Sequence, residues 1–401
     1  MASLQLNDVS KIYPSGTLAL YKTQLALNDK EFIVITGGEH SGKSTLLKVI
    51  AGLEDATEGT NKIGNKVVNE IDVKERDVAV IFNTNTLNAN LTVAENIGYG
   101  LKIRKTSQTV IDKRVDAIAE VMGLTDILGK KPKLLTAEQK QKVTLARAMV
   151  REPKLYLFDD PFSGLNEDLK QSLISLTRSL QARMQGTFIY VTKNVADALT
   201  MGTRVVILKD GFIQQIDTPS NLYDYPANSY VAFFVGSPTI SFIRKALLVE
   251  EDGAVFAVCN DCKIALSEKV KNRIVEGYIG TNKQVTVGIR PEDAVVLPEG
   301  KYTATVTEVN QEGYIEGKLC ENVFITATCK NAEKGASVNV EINSDKIYLF
   351  DEETQLSILS RDEGYEKTGY PEADVKPKSL QEEKELKKKH SPLKEDKKKR
   401  K

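Results

Sequence analysis

A glycine-rich loop between an apolar segment and a helical segment constrains the fold of this chain more than any other feature. The range Phe32–Gly52 reads FIVITGGEHSGKSTLLKVIAG and contains the pattern G-x-x-x-x-G-K-S. After a strand and before a helix, this pattern forms a phosphate-binding loop, because backbone N–H groups and the start of the helix point at the same place. The pattern therefore predicts a buried strand, an anion-binding loop and a helix, in that order.

Four residues of this loop are candidates for binding a nucleotide. Gly37 and Gly42 allow the backbone to wrap closely around phosphate groups. Lys43 is expected to reach the β- and γ-phosphates, and Ser44 is expected to place its hydroxyl on Mg²⁺. The predicted cofactors are therefore ATP and Mg²⁺.

A second apolar segment, LYLFDD, carries the other half of the predicted site. Asp159 near its end is placed to hold Mg²⁺ directly or through water. A simple turn at the end of a strand is the alternative interpretation of the same residues. Together with the phosphate loop, the pattern favours the metal-binding interpretation.

The chain divides into three regions by pattern. Residues 1–236 alternate apolar strands with helical segments, which is typical of an α/β architecture with a parallel sheet. The strands include FIVITG, LYLFDD, FIYVT and RVVILKDG, and the helices are expected at Ser44–Ala51, Thr109–Met122, Ala137–Val150 and Asn166–Arg183.

The other two regions differ from the first in composition. Residues 237–360 contain short β-rich segments such as AVFAVC, QVTVGI, YTATVTEV, YIEGKL, VFITATC, SVNVEI and KIYLF, which indicate a small barrel or sandwich. Residues 361–401 contain almost no apolar side chains and are expected to form a charged, disordered tail.

Charge is distributed unevenly along the chain. The 401 residues include 55 basic and 55 acidic side chains, so the whole chain shows no bias toward nucleic acid. The last segment, LKKKHSPLKEDKKKRK, holds nine basic and two acidic residues. Its predicted partner is an anionic lipid surface or RNA; a solvated tail without a partner is an equal alternative.

Cysteine content and hydropathy indicate a cytoplasmic protein. Four cysteines in a chain of this length do not suggest a disulfide scaffold. Cys259 and Cys262 are expected to lie in two short strands around an Asn260-Asp261 turn, rather than to bind a metal. The polar start of the chain is unlike a signal peptide, and no apolar run reaches the roughly 20 residues that span a bilayer.

The segment LLTAEQKQKVTLARAMV contains a helix start with two possible uses. Thr136 and Gln139 form a capping box, which predicts a helix that begins at this point. A helix start also attracts anions, but Glu138 lies in the first turn. Capping alone explains an acidic residue there, whereas a phosphate site does not.

Five motifs in one order resemble those of a known family. They are GGEHSGKSTLLKVIAGLEDATEG, LTVAENIGYGLKI, LTAEQKQKVTLARAMVREPKLYLFDDPFSGLN, IYVTKNVADALTM and GSP…GIRPED. Their order is similar to that of the ATP-binding subunits of ABC importers, specifically the carbohydrate type typified by the maltose importer. The resemblance covers residues 3–360. It implies a P-loop ABC nucleotide-binding domain with a helical subdomain at about 83–150, followed by an OB-like regulatory domain.

The resemblance also implies partners and further binding residues. Such subunits form head-to-tail dimers, here a homodimer or a heterodimer, with ATP between the phosphate loop of one chain and the start of the Thr136 helix of the other. Tyr13 matches the aromatic residue that stacks on adenine, and Thr45 completes the phosphate loop. The helical subdomain would receive a coupling helix of membrane-spanning permease subunits, which a solute-binding protein serves indirectly. The expected location is peripheral, on the inner face of the cell membrane.

At the signature turn this sequence departs from the family pattern. LTAEQ stands where the family has Leu-Ser-Gly-Gly-Gln; Thr136 keeps a hydroxyl and Gln139 is retained, but Ala137 and Glu138 replace both glycines. A carboxylate about 5 Å from a phosphate charge costs about 3 kcal/mol at an effective dielectric constant near 20. The turn is therefore a poorer anion receptor than in the family.

The candidate catalytic positions also differ from the family pattern. Asn83 takes the place of the family glutamine that senses Mg²⁺ and the attacking water, and Asp160 replaces the glutamate expected as general base. Lys193 replaces a histidine that contacts the γ-phosphate. A lysine binds phosphate as a point charge but does not accept a proton at neutral pH.

Three further departures surround the phosphate loop. His40 stands where the family commonly has glycine, and Glu39 adds an acid beside the phosphates. Asn166 replaces the closing aspartate. Because the residues that bind Mg²⁺-ATP are retained, the changes together predict nucleotide binding with weakened water activation.

Three functional hypotheses remain open from the sequence. The leading one is a nucleotide-binding subunit of a carbohydrate-type ABC importer whose hydrolysis is weak or depends on a partner. The second is a non-hydrolysing, ATP-binding regulatory protein of the same fold. The third is an ordinary homodimeric ATPase that tolerates all of these changes.

Overall fold

The structure is a computed structural model that describes residues 2–84, 87–260, 262–310, 313–320, 323–329, 332–365 and 378–390. These residues form two compact units that divide between Phe212 and Ile213. Among the residues described, no helix has both the length and the apolar content needed to cross a bilayer.

The first unit alternates strands and helices, as the sequence predicted. Its strands are β1 (Leu4–Ile12), β2 (Leu18–Leu27), β3 (Phe32–Gly37), β4 (Glu58–Ile63), β5 (Lys66–Val67), β6 (Val78–Phe82), β7 (Leu155–Asp159), β8 (Thr187–Val191) and β9 (Arg204–Lys209). Its helices are α1 (Lys43–Ala51), α2 (Val93–Ile103), α3 (Gln108–Met122), α4 (Ala137–Met149), α5 (Glu167–Met184) and α6 (Val195–Met201). Short 3₁₀ helices lie at Thr125–Ile127 and Pro132–Leu134.

A parallel sheet forms the centre of this unit. Five strands follow the order β9-β3-β8-β7-β6, and each neighbouring pair is parallel. All six residues of β3 are buried, as are all five of β8. Because both faces of a parallel sheet are covered, continuous apolar segments form its strands, which is why these strands could be predicted from sequence.

A second sheet and a group of helices complete the first unit. The strands β2, β1, β4 and β5 pair in that order as an antiparallel sheet. The helices α2, α3 and α4 pack on one another in the range predicted as a helical subdomain. Thr92 and Glu95 form a capping box at the start of α2, and Gly123 ends α3 in the left-handed conformation.

One buried ion pair joins the residue before β3 to the first residue of β9. The Arg204 guanidinium contacts both carboxylate oxygens of Glu31, with Nε–Oε1 and Nη2–Oε2 distances of 2.6 and 3.0 Å. The Arg204 Nη2 also donates to the carbonyl of Ala26 at 2.8 Å. Bidentate pairing satisfies two buried charges that would otherwise destabilise the unit.

The second unit is mostly β structure. Its strands are β10 (Phe212–Asp217), β11 (Ser241–Glu251), β12 (Ala254–Cys259), β13 (Cys262–Leu266), β14 (Gln284–Ile289), β15 (Ala294–Val296), β16 (Tyr302–Val309), β17 (Tyr314–Cys320), β18 (Val323–Thr328), β19 (Ser337–Ile342) and β20 (Tyr348–Asp351). Its helices are α7 (Pro219–Asp224), α8 (Ser229–Phe234), α9 (Glu268–Lys271) and α10 (Leu380–His390), with 3₁₀ turns at Pro291–Asp293 and Ser344–Lys346.

A sheet and a closed barrel confirm the predicted β-rich region. The sheet has the order β13-β12-β11-β14-β20, and the barrel has the order β15-β18-β17-β16-β19. Cys259 lies opposite Cys262 in the register of β12 and β13, as the hairpin interpretation requires. Asp261 of the expected turn lies outside the described residues.

The division between the units differs from the boundary near residue 236 that the sequence predicted. Hydrogen bonds join the segment 213–236 to later parts of the chain. The Ser229 N–H donates to the Gln355 carbonyl at 3.0 Å, and Arg290 Nη2 donates to the Tyr223 carbonyl at 2.7 Å. The composition of this segment resembles that of the α/β region, but the segment belongs to the second unit.

Part of the tail is helical in the structure. The composition predicted disorder from Arg361 onward, whereas α10 forms a helix within this region. Ser379 and Glu382 form a capping box at its start. The buried Glu383 carboxylate accepts a hydrogen bond from Gln214 Nε2 at 2.6 Å, and this contact anchors the helix despite its low apolar content.

Candidate nucleotide-binding site

The candidate residues meet at one edge of the parallel sheet. Strands β6, β7, β8 and β3 are consecutive neighbours, and the register aligns Phe82 with Asp159 and Asp159 with Val191. Their carboxyl ends therefore open on the same side. In open α/β sheets this edge is where ligands bind.

The phosphate loop depends on two glycines that no other residue could replace without strain. Gly37 has φ +154°, and a Cβ there would lie 2.0 Å from the carbonyl oxygen of Leu208. Gly42 has φ +100°, and its Cβ would lie 2.5 Å from the carbonyl oxygen of Ala19. The close approach of the loop to its neighbours is thus built into the sequence.

Lys43 lies folded into the loop that precedes it. Its ammonium donates to the carbonyls of Gly37 and Gly38 at 2.9 and 2.6 Å, and to Ser41 Oγ at 2.9 Å. Burial lowers the pKa of Lys43 from its usual value, and the positive charge of Lys193 lowers it further. A phosphate group that replaced these carbonyl contacts would stabilise the charged ammonium.

The predicted metal-binding pair is in direct contact. Ser44, in the first turn of α1, donates its hydroxyl hydrogen bond to Asp159 Oδ1 at 2.9 Å. One hydroxyl and one carboxylate on neighbouring elements are oxygen donors of the kind that Mg²⁺ takes. The donor set therefore fits the expected ion.

Asp160 occupies a constrained position at the end of β7. Its backbone has φ +47°, and its N–H donates to the Val191 carbonyl at 2.9 Å. Burial raises the pKa of the Asp160 carboxyl, while the charge of Lys193 opposes this shift. The carboxylate thus lies next to the phosphate loop in partial burial, which is suited to accepting a proton.

Lys193 pairs with an acid of the phosphate loop. Its ammonium lies 3.3 Å from Glu39 Oε1, and both side chains are mostly exposed. The sequence indicates both residues as part of the site but does not indicate their contact. The signal that could have found it is the position of both residues just after neighbouring parallel strands.

Asn83 and Tyr13 also lie at this edge. The Asn83 side-chain amide is 3.5 Å from Ser163 Oγ, which follows Asp160 in the chain. The Tyr13 hydroxyl is 3.3 Å from Thr45 Oγ1 in α1, and the Lys11 ammonium lies 5.2 Å from the Tyr13 ring. The ring is therefore placed beside the start of α1.

The remaining predicted residues lie at the start of α4. Gln139 N–H donates to Thr136 Oγ1 at 3.2 Å, and Thr136 N–H donates to Gln139 Oε1 at 3.0 Å, which confirms the capping box. Glu138 forms an ion pair with Lys142 at 2.7 Å, one turn further along the helix. Within the described parts of the chain, no hydrogen bond or ion pair joins Thr136 or Gln139 to the phosphate loop.

Two substituted positions have structural roles of their own. Asn166 caps α5, because its Oδ1 accepts a hydrogen bond from the Leu169 N–H at 3.0 Å. His40 has φ +56° in the turn that precedes Gly42. The left-handed conformation at this position explains why a glycine would also be favourable there.

Fold and site together define a P-loop nucleotide-binding protein. A family model described as ABC transporter matches residues 20–163. The oligosaccharides import ATP-binding protein MsmX of Bacillus subtilis (strain 168) is 37% identical, and the match covers 89% of this chain and 100% of that protein. The chain therefore belongs to the family of ABC transporter ATP-binding proteins.

A second relative agrees with this assignment, and a solved structure shares the fold. The sn-glycerol-3-phosphate import ATP-binding protein UgpC of Jannaschia sp. (strain CCS1) is 35% identical over 88% of this chain and 98% of its own length. Among solved structures, cbiO1 from Clostridium perfringens shares the fold with a TM-score of 0.52 and 24% identity. That match covers 55% of this chain and 89% of cbiO1.

Proposed function

We propose that this chain is the ATP-binding subunit of a carbohydrate-type ABC importer, with hydrolysis weakened by its own catalytic residues. The observation that carries the proposal is the contrast at one edge of the sheet. There, the phosphate and metal positions Lys43, Ser44 and Asp159 are complete, while Asn83, Asp160 and Lys193 depart from the family pattern.

The retained residues account for nucleotide binding. Lys43 would exchange its contacts to loop carbonyls for phosphate oxygens, and Ser44 and Asp159 would hold Mg²⁺ between them. Tyr13 would cover the base. When bound, Mg²⁺-ATP supplies a γ-phosphoryl group whose charge the metal partly neutralises.

The altered residues account for weakened hydrolysis. Asp160 holds a carboxylate that is one methylene shorter than the family glutamate, so it reaches less far from a backbone fixed by its contact to Val191. A displacement of about 1 Å can cost on the order of a hundredfold in rate. Lys193 donates but does not accept, so it supports phosphate binding better than it orients water.

The start of α4 would serve the nucleotide site of a second subunit, in a homodimer or a heterodimer. Thr136 and Gln139 form hydrogen bonds with each other in the capping box. The Glu138 carboxylate forms an ion pair with Lys142, one turn further along the helix. The acid therefore repels a phosphate less than its position in the sequence suggests. The turn still lacks the two glycines of the family.

A groove between α2 and α3 supports coupling to a permease. It encloses about 350 Å³. Its apolar walls include Ala94, Gly98, Ile111 and Val115, and the Tyr99 ring beside it is 48% exposed. An amphipathic helix can bury its apolar face in such a groove. We assign this groove to the coupling helix of the membrane-spanning subunits, which would hold the chain at the inner face of the membrane.

The tail supports a second candidate function, a non-hydrolysing regulator. Its end, from Leu386 to Lys401, is strongly basic and lies beyond the family resemblance. This segment would attract an anionic lipid surface or RNA. In that case the nucleotide would control the exposure of a binding surface instead of transport.

Affinity capture separates the two candidates. The tagged full chain is incubated with detergent-solubilised membranes of the cells that encode it. The test variant Ala94→Arg fills the groove. The control variant Val121→Arg adds the same charge on the exposed part of α3. Recovery of membrane-spanning subunits by the wild type and by Val121→Arg, with loss in Ala94→Arg, supports the importer. Recovery of a soluble partner alone, unaffected by Ala94→Arg, supports the regulator.

A further inference from the structure

An ion pair spans the opening of the nucleotide site. Glu39 is the second residue after β3, and Lys193 is the second residue after β8. Because β3 and β8 are parallel neighbours, both side chains emerge at the same edge, where Lys193 Nζ lies 3.3 Å from Glu39 Oε1. The pair therefore joins the phosphate loop to the segment that follows β8.

This pair is poorly suited to stabilising the fold. The Lys193 and Glu39 side chains are 63% and 75% exposed. Exposed ion pairs contribute little to stability, because water solvates both charges and both side chains lose conformational freedom. Their contact is thus one that a stronger partner can replace.

Both residues of the pair follow elements that hold the phosphate position. Glu39 directly follows Gly38, whose carbonyl accepts a hydrogen bond from the Lys43 ammonium at 2.6 Å. Lys193 follows β8, whose Val191 carbonyl accepts the Asp160 N–H at 2.9 Å. The pair therefore lies beside the two residues proposed to meet the γ-phosphate and the attacking water. Glu39 is the only acid whose contact with the Lys193 ammonium falls within ion-pair distance among the described residues.

We propose that Glu39 is a positioning residue that competes with the γ-phosphate for the Lys193 ammonium and so limits how strongly this site prefers a triphosphate to a diphosphate. The inference rests on the proposed binding of Mg²⁺-ATP at this edge. A neutral imidazole at position 193 would form a weaker contact with Glu39, whereas a lysine carries a full charge and three donors. The ion pair between Glu39 and Lys193 therefore depends on the lysine, and a histidine at position 193 would not form it.

A double-mutant cycle tests this competition by binding rather than by activity. Wild type, Glu39→Gln, Lys193→Gln and the double variant are titrated calorimetrically with the β,γ-imido analogue of ATP and with ADP, each in excess Mg²⁺. Glu39→Gln should tighten analogue binding about fivefold, the size of one exposed ion pair, and change ADP binding less than about twofold. In the Lys193→Gln background the effect of Glu39→Gln should fall below about twofold.

Two results would overturn the inference. An equal gain from Glu39→Gln in both backgrounds would mean that Glu39 acts on the phosphates directly and not through Lys193. An equal gain for ADP and for the analogue would mean that the γ-phosphate is not the competitor. If the wild type bound neither ligand, the proposed function itself would fail, which is a distinguishable outcome.

Discussion

Asp160→Glu restores the carboxylate length that the family pattern has at the general-base position. Asp160 stands directly after Asp159, and its main chain is fixed by a 2.9 Å hydrogen bond from its N–H to the Val191 carbonyl. The added methylene should therefore carry the carboxylate about 1 Å further toward the reacting water, without moving the backbone. We expect faster hydrolysis with unchanged nucleotide affinity.

The magnitude follows from two opposing effects. A misplacement of about 1 Å costs on the order of a hundredfold, which corresponds to about 2.7 kcal/mol of barrier. Asp160 also has φ +47°, a conformation that aspartate adopts more readily than glutamate. The substitution should thus raise turnover ten- to a hundredfold while lowering stability by about 1 kcal/mol.

Phosphate release and calorimetric titration together measure this prediction. The full chain and the Asp160→Glu variant are compared at saturating Mg²⁺-ATP, with Asp160→Asn as the matched control that keeps the size of the side chain and removes the base. Asp160→Asn should bind the nucleotide and release no phosphate above background. A turnover of Asp160→Glu equal to or below that of the wild type would refute the claim that the short carboxylate limits hydrolysis.

Three further perturbations test the fold and the loop. Glu31→Gln leaves the buried Arg204 charge without its anion and should cost about 3–5 kcal/mol in the free energy of unfolding in urea, whereas Glu31→Gln combined with Arg204→Met should recover most of this loss. A hydrogen bond from Tyr225 lowers the pKa of Asp362 in the folded chain. The ionised Asp362 carboxylate therefore stabilises the fold above the unfolded pKa near 3.8, and this stabilisation is lost as the pH falls through the lower folded pKa. In thermal melts between pH 5 and 2, Asp362→Asn should therefore lose less folding stability than the wild type, by less than about 1 kcal/mol. An equal loss of stability in both proteins would contradict this prediction. Gly42→Ala places a methyl group 2.5 Å from a backbone carbonyl oxygen and should weaken Mg²⁺-ATP binding at least tenfold, while retained affinity would show that the loop is more adaptable than its geometry indicates.

Local patterns explain why most of the fold could be predicted. The strand FIVITG was predicted at the bounds observed for β3, because a strand buried on both faces has no polar residue to interrupt it. Capping residues fixed the start of α4 at Ala137 for a similarly local reason. The β-rich segments were found because each is short, is rich in β-forming residues and lies between turn residues.

Contacts between distant residues explain what the sequence could not predict. Glu39 and Lys193 are 154 positions apart and both exposed, so hydropathy and spacing indicate their contact only once β3 and β8 are known to be neighbours. Glu383 is an acidic residue and yet buried, and its carboxylate accepts a hydrogen bond from the distant Gln214. Composition predicts the opposite for such a residue, and the helix it anchors was therefore missed.

A single-turnover experiment with the purified chain tests the central claim most directly. Excess protein is mixed with radiolabelled ATP and Mg²⁺, and filter-bound nucleotide is separated into ATP and ADP over time. We predict that ATP is retained and that its conversion to ADP proceeds at least about a hundredfold more slowly than the ~10 s⁻¹ typical of enzymes. Failure to retain nucleotide, or conversion at the typical rate, would contradict the account.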